Sequence, residues 1–306
     1  MTFSISNTPT LKGKTALVTG GNSGLGLATS KVLGSKGAHV LLAARDWRKG
    51  EAAVNEVLAL YPSATVELLE LDLASQANIK TAAAEVSKKF DKLDFLINNA
   101  GLMAMPEMKT EDGFESQFGV NHLGHWSLTS LLMDQLLAAD SARVVTVTST
   151  AHHLIWNVDF DDPHMREKYS AWNAYSQSKL ANYYFALGLH KEFKKHGKKA
   201  MSLLAHPGLS HTNLQVHTVE MGAAGFAGGM FKNLAAKTGM PADKGALPQL
   251  RAALDPKAKS GEFFVPRFVT TGAPVKRPFL RMRNNSNIEK LWALSEKETG
   301  LSINMS

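Results

Sequence analysis

The stretch TGGNSGLG, at residues 19–26, lies between the apolar run TALV and a segment with the spacing of a helix. Three of its glycines stand at Gly20, Gly24 and Gly26, a spacing that differs from the usual G-x-G-x-x-G pattern. Taken alone, the pattern is explained equally well by an ordinary glycine-rich loop. The segments around the stretch therefore decide its meaning.

Short β-branched or leucine-rich runs alternate with longer amphipathic segments on both sides of this stretch. The runs predicted as strands are TALVT, AHVLLAA, TVELLEL, LDFLIN, ARVVTVTS, KAMSLLAH and EFFVP. Such alternation predicts an α/β fold, a doubly wound parallel sheet of Rossmann type with helices on both faces. We expect one domain over residues 1–306, with Gly- and Met-rich residues 208–240 as a substrate lid and a helix at residues 287–299.

Composition narrows the class of protein. The chain has 306 residues, is 44% hydrophobic and contains no cysteine, which excludes disulfides, thiolate-bound metals and a cysteine nucleophile. The net charge of +7 would suit an anionic ligand, but the basic residues are scattered and do not indicate nucleic acid binding. No secretory signal is evident, and no apolar run approaches the ~20 residues that cross a bilayer. These features predict a cytoplasmic protein without a stable membrane span.

The glycine stretch follows a predicted strand and precedes a helix that begins near Leu25. A phosphate placed there would meet free backbone N–H groups at the positive end of that helix. Gly20 would allow the tight turn, while Gly24 and Gly26 would let the backbone approach a pyrophosphate and the strand. The predicted dinucleotide contacts of this turn are Gly20, Asn22, Ser23, Gly24, Leu25 and Gly26.

The end of the second strand bears on which dinucleotide binds. About twenty residues after such a turn, a carboxylate would bond a free ribose hydroxyl, whereas an arginine would pair with a 2′-phosphate. Here Ala44 ends the strand and Arg45 follows it, before Asp46. This order favours NADP (NADPH) over NAD. The alternative, that Arg45 is only a surface charge, remains open.

The segment AYSQSKLAN contains Tyr175 and Lys179, which are four residues apart and share one helical face. An ammonium about 4 Å from a phenol, in an effective dielectric of about 20, favours the phenolate by about 4 kcal/mol, or about three pKa units at most. We therefore expect Lys179 to lower the pKa of Tyr175 toward working pH, as acid–base catalysis requires.

Polar residues also end two predicted strands. Ser149 follows VVTVT, and residues 98–101, NNAG, end the strand before it. Ligands bind at the carboxyl edge of open parallel sheets. A serine hydroxyl at that edge can donate to a substrate carbonyl oxygen and polarise it.

Together these residues resemble the short-chain dehydrogenase/reductase family over nearly the whole chain. The resemblance is carried by Thr19, Gly20, Gly24, Gly26, Asn98, Asn99, Ala100, Gly101, Asn121, Ser149, Tyr175, Lys179, Pro207 and Gly208. The segments NHLGHWSLT, YSQSKLAN, HPG and LWALSEKETGL are most similar to the retinol-dehydrogenase-like branch of that family.

The resemblance implies reversible hydride transfer between a nicotinamide and a carbonyl or alcohol. Tyr175 would be the general acid in reduction and the base in oxidation, and Ser149 would hold the substrate oxygen. Lys179 would bind the nicotinamide ribose and lower the pKa of Tyr175. Asn121 would hold a water that extends a proton relay from Lys179.

Further cofactor contacts are implied by the same resemblance. Asp72 and Leu73 would flank the adenine, and Thr212 would touch the nicotinamide amide or the phosphates. The other implied contacts are Asn98, Ala100, Gly101, Tyr175, Lys179, Pro207 and Gly208.

Two departures from the family pattern affect assembly and location. Ser149 and Tyr175 are 26 positions apart, because an insertion containing Trp156, the acidic run at residues 159–162 and Trp172 lies between them. Similar insertions in relatives obstruct the usual helix-to-helix dimer, so both a monomer and a homo-oligomer remain open. We also expect no hydrophobic N-terminal anchor of the kind that many retinol-active relatives carry, which lowers the expectation of a membrane retinoid role.

Other candidate sites carry less weight. His122 and His125, or His152 and His153, lack a third ligand at zinc spacing, so we expect no metal site. His206 is expected at a strand end. An apolar pocket for a bulky carbonyl is predicted from Met103, Met105, Trp156, Trp172, Met221, Phe226, Met230 and Phe231. The alternative is that several of these only pack the lid on the sheet.

The sequence thus predicts an NADPH-dependent reductase whose substrate is a small molecule, a hydrophobic ketone or aldehyde. One alternative is an NAD(P)-dependent secondary-alcohol dehydrogenase, because the chemistry runs both ways. Another is a non-catalytic dinucleotide-binding regulator, although a mere binder need not keep the set Asn121, Ser149, Tyr175 and Lys179.

Overall fold

The computed structural model describes residues 3–210, 239–278 and 285–305. Within them, one eight-stranded sheet has the order β3-β2-β1-β4-β5-β6-β7-β8. The strands are β1 (Thr15–Thr19), β2 (His39–Ala44), β3 (Thr65–Glu70), β4 (Phe95–Asn98), β5 (Arg143–Val147), β6 (Met201–Ala205), β7 (Phe263–Pro266) and β8 (Pro274–Arg277). Strands β1 to β7 pair in parallel, and β8 pairs antiparallel to β7. The predicted Rossmann-type sheet is confirmed, with β8 as an edge strand that the short, charged sequence PVKR does not predict.

Helices cover both faces of this sheet. They are α1 (Gly24–Ser35), α2 (Trp47–Leu60), α3 (Gln76–Lys89), α4 (Ser116–Phe118), α5 (Gly124–Leu131), α6 (Met133–Ala138), α7 (Ala171–Lys195), α8 (Ala242–Gly245), α9 (Leu247–Leu254) and α10 (Asn285–Thr299). Helices α1, α2 and α9 pack on one face, and α3, α5, α7 and α10 form the other side. The predicted terminal helix corresponds to α10. None of these described helices has both the length and the apolar character that crossing a membrane requires.

The apolar strands are explained by burial on both faces. Every residue of β4 is buried, as are four of the five residues in both β1 and β6. Strand β3, at the edge, is more exposed. This pattern is the one expected for a parallel sheet with helices on each side.

The strand order reverses beside β1, which pairs with β2 on one side and β4 on the other. The connections that follow β1 and β4 therefore run to opposite faces, and a crevice opens between them at the carboxyl edge. The glycine turn after β1 and residues 99–101 after β4 meet at this crevice.

A helical break lies beside the crevice. Between α4 and α5, residues Gly119–Leu123 form a π-helical turn that contains Asn121. Such turns are rare and recur at functional sites. Helix α10 packs against α7, where an added Cβ at Gly188 would lie 2.1 Å from the Trp292 ring. Most of the predicted lid, residues 211–238, lies outside the described residues.

Candidate active site

A cavity of about 1040 Å³ opens at the carboxyl edge of the sheet, above the ends of β1, β4 and β5. It runs from the first turn of α2 to the start of α7. The predicted cofactor residues that line it are Gly20, Asn22, Ser23, Gly24, Leu25, Arg45, Asp72, Leu73, Ala100, Gly101, Tyr175, Lys179, Pro207 and Gly208. Gly26, Asn98 and Asn121 lie behind its wall, and Thr212 lies outside the described residues.

The glycine turn is shaped by close backbone packing. Gly20 and Gly24 have φ angles of +63° and +51°, which side chains rarely adopt. A Cβ at Gly26 would lie 2.1 Å from the carbonyl oxygen of Gly20, so only glycine lets α1 begin this close to β1. Gly26 therefore supports the turn from behind.

The start of α1 differs from the starts of α2 and α3, the next two helices of the chain. The side chains of Asp46 and Ser75 cap α2 and α3 by accepting backbone N–H bonds, whereas Ser23 makes no such bond at α1. Backbone donors at the positive end of α1 thus remain available at the cavity. The turn fits the pyrophosphate of a dinucleotide.

Thr19 ties this turn to the loop after β4. Its hydroxyl accepts bonds from the N–H groups of Asn99 and Ala100, both at 2.9 Å, and its carbonyl accepts one from Asn99 Nδ2 at 2.8 Å. The implied contact Asn98 is instead fully buried, and its Nδ2 donates to Thr129 Oγ1. Asn98 belongs to strand β4, so it faces helix α5, and Asn99 reaches the cavity in its place.

The predicted catalytic side chains meet at the inner end of the cavity. Ser149 follows β5, and its hydroxyl forms a hydrogen bond with Tyr175. Lys179 Nζ lies 5.8 Å from the centre of the Tyr175 ring. Tyr175 and Lys179 are only 5% and 4% exposed. A phenol, a hydroxyl and an ammonium thus lie together at the inner end of the cavity, where the phenol and the ammonium are shielded from solvent.

The expected depression of the phenol pKa is not met in this structure. Burial raises the pKa of Tyr175 to about 12, and the hydrogen bond with Ser149 opposes this only in part. Burial also lowers the pKa of Lys179 to about 8, which weakens its cationic influence. Attraction between the two charges favours the phenolate, but the cost of removing both groups from water is larger here.

Asn121 stands directly behind this end of the cavity. Its Oδ1 accepts from Leu102 N at 2.7 Å, and its Nδ2 donates to Leu102 O at 2.9 Å and to Ser178 Oγ at 2.8 Å. A Cβ at Gly101 would lie 2.9 Å from Asn121 Oδ1 and 3.2 Å from Lys179 Nζ. Asn121 and Lys179 therefore face the same point, and a glycine is needed there.

The outer end of the cavity carries exposed charges. Arg45 lines it, together with Lys49, which the sequence reasoning missed. Lys49 lies in the first turn of α2, four residues after Arg45, and a second cation this close to the strand end was an available signal. The carboxylate of Asp46 accepts the N–H of Lys49 at 3.0 Å and so caps α2. Asp46 thus has a structural role at this end.

The predicted apolar pocket is realised only in part. Met103 and Met105 line the cavity, and the Trp172 ring lies edge-on to Tyr175 at 6.2 Å. Trp156 is 96% exposed and does not line it, because the insertion turns it outward. The other proposed members, Met221, Phe226, Met230 and Phe231, lie outside the described residues.

The histidines occupy structural positions. His122 contacts Ser295 Oγ through Nε2 at 2.8 Å, and burial lowers its pKa to about 3. His152 packs its ring on Tyr183, and its Nδ1 bonds the carbonyl of Ser149. His206 follows β6 as expected, and burial lowers its pKa to about 4.

The fold and the cavity define an α/β protein of the dinucleotide-binding Rossmann class. A family model described as short chain dehydrogenase matches residues 14–222. The chain is 42% identical to retinol dehydrogenase 13 of Homo sapiens over 210 residues, 68% of this chain and 62% of that protein. It is 36% identical to retinol dehydrogenase 12 of Homo sapiens over 293 residues, 95% of this chain and 88% of that protein.

A solved structure of another protein has the same fold. An uncharacterized protein from Mycobacterium Paratuberculosis is 38% identical and superimposes with a TM-score of 0.81, with both chains covered completely. The chain belongs to the short-chain dehydrogenase/reductase family, on its retinol-dehydrogenase-like branch. It is thus of an oxidoreductase family that binds a nicotinamide dinucleotide and acts on CH–OH or C=O groups.

Proposed function

We propose that this protein reduces a hydrophobic ketone or aldehyde with NADPH, and that Tyr175 donates the proton to the carbonyl oxygen. The observation that carries this proposal is the buried hydrogen bond between Tyr175 and Ser149 beside Lys179, at the inner end of a dinucleotide-sized cavity. When bound, the nicotinamide supplies the hydride. The chain's own residues hold the carbonyl and deliver the proton.

The protonation state of Tyr175 suits reduction. With a pKa of about 12, the phenol keeps its proton at neutral pH and is in the donor form. Ser149 places a second hydroxyl against the same carbonyl oxygen and polarises it. Lys179, still largely protonated below its pKa of about 8, stabilises the phenolate that remains after proton transfer.

Asn121 and Gly101 support Lys179 from behind. The amide of Asn121 is fixed by two bonds to Leu102 and one to Ser178, so it does not swing away. It can hold a water next to the ammonium, through which Tyr175 recovers a proton after each turnover. In this role Asn121 acts without lining the cavity.

The NADPH preference rests on the outer end of the cavity. Arg45 and Lys49 present two cations where the 2′-phosphate would lie, and Ala44 leaves no carboxylate at the strand end. The nearby carboxylate of Asp46 is engaged with the N–H of Lys49. An arginine can pair with phosphate through two parallel bonds.

The substrate class rests on the wall near Tyr175. Leu102, Met103, Met105 and Leu209 line this part, and two of them are methionines that adapt to irregular shapes. Such a wall favours a bulky apolar carbonyl over a small charged one. The named substrates of the retinol dehydrogenase relatives are themselves apolar alcohols, which agrees with this class.

Oxidation of a secondary alcohol is the leading alternative, since the same residues would act in reverse with Tyr175 as base. The high pKa of Tyr175 disfavours that direction at neutral pH. A non-catalytic regulator is disfavoured by the buried phenol of Tyr175 beside Ser149, because a protein that only binds the dinucleotide need not keep a proton donor at that point. The cytoplasmic location stays a prediction, and a relative from Brassica napus is chloroplastic.

The test measures the loss of absorbance as NADPH or NADH is oxidised, in separate assays with each of a panel of carbonyl compounds. Bulky apolar ketones and aldehydes should be reduced with NADPH, and small charged oxo-acids should be poor substrates. Faster turnover of oxo-acids would refute the substrate class, and equal use of NADH would refute the cofactor preference. Tight NADPH binding without turnover of any carbonyl or alcohol would support the regulator.

A further inference from the structure

His125 is a buried group that the proposed mechanism does not use. It lies at the start of α5, four residues after Asn121, and is 1% exposed. Its Nε2 lies 2.8 Å from Thr19 Oγ1, and its Nδ1 lies 2.9 Å from the carbonyl oxygen of Asn121. One imidazole thus joins the strand end before the glycine turn to the backbone of the π-helical turn.

The direction of both bonds follows from their partners. A carbonyl oxygen only accepts, so Nδ1 of His125 must carry the proton that it donates to Asn121. The hydroxyl oxygen of Thr19 already accepts from the N–H groups of Asn99 and Ala100. It therefore uses its own proton as the donor to Nε2, at a shorter distance than the 3.3 Å to the carbonyl of Ile97.

This arrangement fixes His125 as one neutral tautomer. Protonation of Nε2 would set two donors against each other, because Thr19 has no lone pair left to accept. Burial acts in the same direction and lowers the pKa of His125 to about 4. The ring is therefore a fixed connector over the neutral pH range.

We propose that His125 is a positioning residue with two separable functions. Through Nε2 it orients the hydroxyl of Thr19, which holds the loop after β4 against the glycine turn. Through Nδ1 it fixes the backbone carbonyl of Asn121, and so the position of the π-helical turn that carries the Asn121 amide toward Lys179. The inference rests on the proposed function, since it assigns the second of these two functions to the proton relay.

Two substitutions of His125 separate the function of Nε2 from the function of Nδ1. His125→Gln keeps an acceptor near the position of Nε2 and loses the donor to Asn121, whereas His125→Asn keeps a donor near the position of Nδ1 and loses the acceptor for Thr19. Removal of a buried hydrogen-bond partner costs roughly ten-fold in the function it supports. We expect His125→Gln to lower kcat by about ten-fold with little change in the Kd for NADPH. We expect His125→Asn to raise that Kd by about ten-fold with little change in kcat at saturating NADPH.

Variants of Thr19 test the function of Nε2 by changing the other partner of that hydrogen bond. Thr19→Val should weaken NADPH binding as His125→Asn does, and the two changes combined should cost little more than either alone. Thr19→Ser keeps the hydroxyl and should restore binding. Ser127→Ala is the matched control on the same helix, since it removes a hydroxyl that donates to Gln76 Oε1 at 2.6 Å, away from the cavity.

The readouts are fluorescence titration with NADPH, steady-state kinetics with the best carbonyl of the panel, and thermal unfolding of every variant. The proposal is overturned if both His125 variants change Kd and kcat alike, or if they change only the melting temperature as Ser127→Ala does. If the parent protein binds NADPH but turns over no carbonyl or alcohol, the proposed function fails. The function of Nε2 toward Thr19 is then still judged by the binding titrations, in which Thr19→Val and His125→Asn must both weaken NADPH binding.

Discussion

The two ends of the cavity are built on different physical terms. At the outer end, Arg45 and Lys49 are exposed and Asp46 caps a helix, so water and salt screen every charge. At the inner end, Tyr175 and Lys179 are almost completely buried, and their pKa values move in opposite directions. Under the proposed function, the outer end selects between the two dinucleotides and the inner end carries the proton transfer.

This contrast sets the size of the effects that substitutions should have. A screened surface charge is worth about 1 kcal/mol or less. A buried acid that transfers a proton in the transition state contributes about 10²- to 10⁴-fold in rate.

The largest effect is expected at the inner end. Tyr175→Phe removes the proton donor and leaves the ring, so kcat should fall by about 10³-fold while the Kd for NADPH stays within about two-fold. Tyr184→Phe, on the same helix, removes a buried hydroxyl that bonds Asn287 and should leave kcat near that of the parent protein. Steady-state rates and NADPH titrations give both numbers. Substantial turnover by Tyr175→Phe would mean that another group supplies the proton.

The glycine turn between the two ends comes next. Gly26→Ala places a Cβ 2.1 Å from the carbonyl oxygen of Gly20, so α1 must move away from the turn. NADPH binding, measured by fluorescence titration, should weaken by more than about ten-fold because the backbone donors move with the helix. Gly34→Ala lies on the same helix, where a Cβ meets only side chains at 3.4 Å and beyond. Gly34→Ala should leave binding unchanged, and equal losses in both variants would contradict the role of the turn.

The outer end should respond more weakly. Arg45→Ala should raise the Kd for NADPH by about five-fold and leave the Kd for NADH unchanged, as expected for an exposed pairing worth about 1 kcal/mol. Raising the ionic strength should shrink the difference between the variant and the parent protein. Arg48→Ala removes the same charge from a residue that does not line the cavity and is the control. If Arg45→Ala weakens the binding of NADPH and NADH equally, Arg45 does not bind the 2′-phosphate.

The sequence predicts the scaffold of the site well and its electrostatics poorly. Strand ends, glycine spacing and the separation of Tyr175 and Lys179 are local patterns, and the sheet brings them to one edge as expected. The pKa of Tyr175 depends on burial, which arises from packing across the whole domain. The same holds for Asn98, which differs from Asn99 only in which side of the strand end it occupies.

Two further features depend on contacts that are distant in sequence. His125 contacts Thr19 across 106 residues, so no local pattern distinguishes it from an ordinary helical histidine. Trp156 is apolar and close in sequence to Ser149, yet the insertion carries it to the surface. Residue type and proximity along the chain were not enough in either case.

The smallest expected effect concerns pH and connects the two ends. The pKa of Lys179 is lowered to about 8 in the free protein, and contact with the dinucleotide ribose should raise it, so the complex holds more protons than the free protein above that pH. NADPH affinity should therefore fall as pH rises through 8, by about four-fold between about pH 7 and 8.5. The contribution of Arg45 to NADPH affinity should not change over this range. Titrations of the parent protein and of Lys179→Met measure this: the slope should vanish in the variant, and a flat profile in the parent protein would remove Lys179 from cofactor binding.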